Sequence, residues 1–176
     1  MRGEKMRSLL AGAIMACALT TPGAAEAHEQ ARAFGFQSGF AHPFSGFDHM
    51  LAMVGVGIWG AVLGRPLIVA LPVVFPIMMA VGGVLGMASI GWAPIELGIA
   101  VSVLALGLAI AAAYRAPVWA ACSLVGLFAL CHGYAHGQEL PPAANRVDYS
   151  AGFILATGLL HLTGIGRDLA QEQPHQ

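Results

Sequence analysis

The feature that most limits what this chain can fold into is a succession of apolar stretches of about twenty residues, separated by short polar turns. A run of that length makes a helix of ~30 Å, the thickness of a bilayer's hydrocarbon core. Five such stretches follow the N-terminal region, at about residues 42–63, 67–87, 94–114, 116–136 and 149–165. Inside hydrocarbon the backbone polar groups must be satisfied within the segment, so each stretch predicts a helix. The expected fold is therefore all-α: an integral membrane helix bundle of about five spans, one domain over residues 28–176. Composition agrees, with 57% of the 176 residues hydrophobic and 10% charged, against roughly a quarter charged in soluble domains. A net charge of −1 leaves no basic footprint for nucleic acid.

Residues 1–27 have a different character. Arg2, Lys5 and Arg7 precede the short apolar core "SLLAGAIMACALT", and "TPGAAEA" ends in small-x-small. That order predicts a secretory signal peptide cut after Ala27, which makes His28 the new N-terminus on the outer face. Residues 28–41 are too short and polar to span; they read as an amphipathic interfacial helix or as an extension of the first span. With residue 28 outside, five spans put Arg65, Arg115 and Arg167 in the cytoplasm, while the outer loops hold Arg146 alone. The positive-inside rule favours this orientation: inner membrane, multi-pass, N-terminus periplasmic and C-terminus cytoplasmic.

Glycines four apart (Gly60 and Gly64, Gly82 and Gly86, Gly133 and Gly137) predict close backbone approach between helices. Pro72 and Pro76 each remove a backbone donor in the second span. They read as a kink lining a cavity, or as a plain packing kink.

Charged groups at membrane depth are costly and mark ion pathways or relays. The first span opens with "HPFSGFDHM", residues 42–50, which holds His42, Asp48 and His49. On one straight helix His42 and His49 share a face, ~10 Å apart along the axis. Glu96 begins the third span, as a ligand or as a partner of the helix dipole. "CHGYAHGQEL" near the end of the fourth span gives His132, His136 and Glu139 on one stripe. In the expected topology all of these fall in the outer half of the bundle, with His28 nearby. Imidazole with carboxylate suits a borderline divalent metal such as nickel, cobalt or zinc, and argues against calcium or magnesium. The candidate metal ligands are thus His28, His42, Asp48, His49, Glu96, His132, His136 and Glu139. His161 lies deeper on the fifth span, and reads either as a step on the way out or as a histidine hydrogen-bonded between helices.

"HPFSGFDHMLAMVGVGIWGA" also closely resembles the signature of the HupE/UreJ family, the hydrogenase and urease accessory nickel permeases. His42, Pro43, Gly46, Asp48, His49, Leu51, Ala52 and Met53 fall on its motif, and a second block, "HGYAHGQE", is similar as well. The resemblance extends over nearly the whole mature chain. It implies uptake of nickel, or sometimes cobalt, across the inner membrane for a nickel enzyme such as hydrogenase or urease. It implies importance for His42, Asp48, His49, Phe75, Glu96, His136 and Glu139, and promotes Phe75, between Pro72 and Pro76, to a pore-lining or gating ring; His161 joins the pore-lining candidates by its depth alone.

The expected activity is transport rather than catalysis, with no permanently bound cofactor and Ni2+ or Co2+ as cargo. No GxxxxGK[ST] loop is present, so the chain does not itself drive transport with ATP. The expected partners are the ion, the lipid bilayer, and a second copy of the chain or a downstream nickel chaperone. The rival reading is an intramembrane zinc metallohydrolase using the same His, Asp and Glu cluster around a bound water; the sequence lacks an HExxH motif.

Overall fold

The computed structural model describes residues 35–90, 95–140 and 145–172. The expected signal segment and His28 lie outside the described residues. Among the described residues the chain forms six helices and no strand: α1 (Gly35–Ser45), α2 (Phe47–Leu63), α3 (Leu67–Met87), α4 (Ile95–Ala111), α5 (Val118–Glu139) and α6 (Arg146–Glu172).

The side chains of α3 show which solvent the bundle needs. Leu71, Phe75 and Met79 are buried on one face, while Val69, Val73 and Ile77 are exposed on the other. A helix that is apolar all round has hydrocarbon as its outer environment. α3, α5 and the stretch Arg146–Arg167 of α6 are each long and apolar enough to cross a membrane. α1 and α2 are long and apolar enough only together and are bent by 84°, the shape of a broken span or of a re-entrant loop. The protein is therefore a multi-pass membrane protein. α4, with 17 residues, covers ~25 Å and is shorter than a full crossing.

The break corrects the expectation of one straight helix over residues 42–63. Gly46 has an extended backbone, φ −110° and ψ 121°, between the two helices. A Cβ there would stand 2.9 Å from Asp48 Oδ1 and 3.3 Å from His49 Nδ1. The missing side chain leaves the space into which these two groups fold back.

Three helix pairs are clasped backbone to backbone. On α3 and α5, a Cβ at Gly82 would meet the Leu130 carbonyl, and one at Gly133 the Met79 carbonyl. Gly86 faces the Tyr134 carbonyl, and Gly137 faces that of Gly83. Residue numbers rise together along this seam, so α3 and α5 run parallel and α4 carries the chain back between them. α2 and α6 are likewise parallel, since Met53 meets Thr157 and, four residues on in both, Gly57 meets the His161 carbonyl; Gly164 packs on the Val54 carbonyl at the same level. α1 lies across the start of α6, with Gly39 on the Tyr149 carbonyl and Gly152 on that of Phe36. The expected pairs at 82/86 and 133/137 thus meet each other. Gly64 does something else: it caps α2 with φ +73° and has nothing near its Cβ position. α3 continues without interruption through Pro72 and Pro76, which are both partly buried.

Candidate metal centre

The starts of α2, α4 and α6 and the ends of α3 and α5 share one end of the bundle, and most of the candidate ligands gather there. His42 comes from the last turn of α1. The bend at Gly46 turns it back over α2, so the His42 and His49 rings stand 6.3 Å apart, edge to face. The two histidines meet because the helix is broken, and not because they share a helical face.

α5 brings the other half. His42 Nε2 lies 3.1 Å from His136 Nδ1, and His136 Nδ1 lies 3.9 Å from Glu139 Oε2, one turn on. His42, His136 and Glu139 each offer a ligand atom, all within 4.8 Å of one another. The His136 side chain is 10% exposed and that of Glu139 33%, so the group reaches from the interior to the surface. Tyr149 and Phe153 of α6 wall it in, 5.9 and 5.8 Å from the His42 ring.

His49 continues the line inward, with its ring 4.6 Å from that of His136 and 5.1 Å from that of His132. Asp48 Oδ1 is 3.0 Å from His49 Nδ1, which places a carboxylate beside the imidazoles. His132 is fully buried. His49 Nε2 and His132 Nε2 have no hydrogen-bond partner among the described residues. A buried polar atom left unpaired costs ~1–3 kcal/mol, so two on adjacent rings make this a candidate ligand position.

The remaining candidates are placed differently. Glu96 is exposed in the first turn of α4 and does not join the converging set. Phe75 is buried below His132, with ring centroids 6.1 Å apart. Pro76 lines a cavity of about 200 Å3 between α3, α5 and α6 that also touches His136, Tyr149 and Phe153. Pro72 lies in a surface groove with Arg65 and Leu162. His161 is 1% exposed, and neither of its nitrogens has a hydrogen-bond partner among the described residues, so no hydrogen bond from these helices holds the ring. Sequence reasoning gave no site role to Tyr149, Phe153 and Thr157, and named Met53 only as part of the motif. Phe153, Thr157 and His161 are spaced by four, a face that could have been traced back from His161.

Fold and site together define a helical membrane protein with a line of imidazoles and carboxylates, able to ligate a divalent cation, running inward from one end. The profile of the family described as HupE / UreJ protein matches residues 15–176. Protein HupE of Rhizobium leguminosarum bv. viciae is 46% identical over 149 residues, covering 85% of this chain and 78% of that one. No solved structure matches the chain. The chain belongs to the HupE/UreJ family.

Proposed function

We propose that this protein is an inner-membrane permease for a divalent transition metal, with nickel as the foremost cargo and cobalt as the second. The metal supplies a nickel enzyme such as a hydrogenase or a urease. The observation that carries this reading is the convergence of His42, His136 and Glu139 from separate helices, continued inward by His49 and His132.

The mechanism follows from the ligand order. A hydrated ion reaches Glu139 and Asp48, whose carboxylates offset its charge where the surroundings become poorly polar. It exchanges water for the imidazoles of His42 and His136. His49 then offers the next nitrogen, and His132 the one after. Several weak, successive sites let an ion leave as readily as it arrives. With the N-terminus periplasmic, an inward-negative potential drives a divalent cation through by roughly 4 to 5 kcal/mol per 100 mV.

The test is uptake of radioactive nickel into proteoliposomes that hold only this protein. Potential-dependent accumulation, abolished by Asp48→Asn and by His49→Ala, is the expected result. Tight metal retention without flux would overturn the reading.

A further inference from the structure

Two buried histidines lie below the outer cluster, and His132 has the arrangement of a ligand. His132 Nδ1 is 2.9 Å from the carbonyl oxygen of Phe128. A carbonyl only accepts, so in the neutral ring Nδ1 carries the proton and Nε2 keeps its lone pair. A backbone partner that fixes ring and tautomer in this way is the usual support of a ligating histidine. Nε2, the ligand atom, has no partner among the described residues.

His161 is deeper. Gly57 packs on its carbonyl, and Gly57 stands eight residues beyond His49 on α2, ~12 Å further along the axis. Both nitrogens of His161 are buried without a partner among the described residues. The Phe75 ring lies 5.3 Å away, edge-on at 88°, with His132 6.1 Å from the same ring. One turn above His161 on α6, the Thr157 hydroxyl donates to the Met53 thioether at 3.5 Å. Below His132 the buried groups are thus the His161 imidazole, the Phe75 ring against it and, one turn up α6, the Thr157–Met53 pair.

The geometry points to a second, inner cation station at His161, separated from the outer cluster by the Phe75 ring and fed through Nε2 of His132. It rests on the permease reading and deepens it. An imidazole ligand favours a borderline transition ion over magnesium or calcium. The ring between the two histidines makes transfer depend on a side-chain movement of Phe75, so the two stations are filled in turn.

The experiment compares wild type, His161→Leu, His161→Gln and His161→Cys as full-length protein. Nickel chloride binding is titrated in detergent, and initial radioactive nickel uptake is measured in proteoliposomes. Expected is an uptake at least ten-fold slower for Leu and Gln, with nickel affinity at the outer cluster kept within two-fold. Cys, which restores a metal-ligating atom, regains much of the flux. Gln keeps a polar side chain at the site and replaces Leu in the comparison if Leu does not fold. Wild-type uptake by Leu or Gln, or equal loss in Cys, overturns the inner station and leaves the permease standing. Loss of outer binding together with flux assigns His161 a structural role and overturns it too. Wild-type protein that binds nickel but carries none overturns the permease, and the station with it.

Discussion

His42 and His136 offer a test whose size follows from one distance. An imidazole nitrogen binds a divalent first-row ion at ~2.1 Å, so two of them at right angles on one ion stand ~3.0 Å apart. The observed Nε2–Nδ1 separation is 3.1 Å, so a single ion can take both without either helix moving. His42→Ala or His136→Ala then removes a direct ligand. Outer partners of ligands already change metal affinity by ~10–100-fold, so each single change is expected to weaken nickel binding by ~100-fold, or about 2.7 kcal/mol. The double variant is expected to fall far short of the product of the two losses, because a site that has lost one imidazole no longer holds the ion over the other. The coupling should reach at least ~1 kcal/mol, within the range for residues that touch. Isothermal titration of purified protein in detergent, with helicity checked for each variant, measures all four affinities. Losses that add to within ~0.5 kcal/mol would show that the two imidazoles do not share an ion.

Gly133→Ala drives a methyl group into the Met79 carbonyl and should destabilise the α3–α5 clasp by ~1–3 kcal/mol. It should lower the thermal midpoint in detergent, whereas Gly158→Ala, with open space at its Cβ position, should not; equal midpoints would refute the clasp. Glu96→Gln should leave equilibrium nickel affinity within two-fold of wild type, since Glu96 is exposed and outside the converging set. A ten-fold loss would bring that carboxylate into the site.

The sequence carried the parts of this fold that depend on composition and period. Leu67–Met87 was readable to the residue because apolar length alone defines a crossing. The glycine pairs at 82/86 and 133/137 were readable because four-residue spacing puts small residues on one stripe. The clasps at Gly39, Gly57, Gly152 and Gly164 were not, since each rests on a single glycine meeting a distant carbonyl. Gly64 shows the opposite failure, where the same spacing marks a helix end. The site was legible as a set of residue types but not as a geometry. Spacing on an unbroken helix separates His42 from His49 by ~10 Å, and the bend at Gly46 was needed to bring the rings to 6.3 Å. The pairing of His42 with His136 spans 94 positions, which no local pattern encodes. The inward order His136, His49, His132 likewise depends on how α2 packs against α5.

The central claim is that imidazoles from α1 and α5 hold one cation between them. X-ray absorption at the nickel edge of the purified, nickel-loaded protein measures this directly. At least two imidazole nitrogens at ~2.1 Å, falling by one in His42→Ala, is the predicted result. A shell of water and carboxylate oxygens alone, unchanged in that variant, would contradict it.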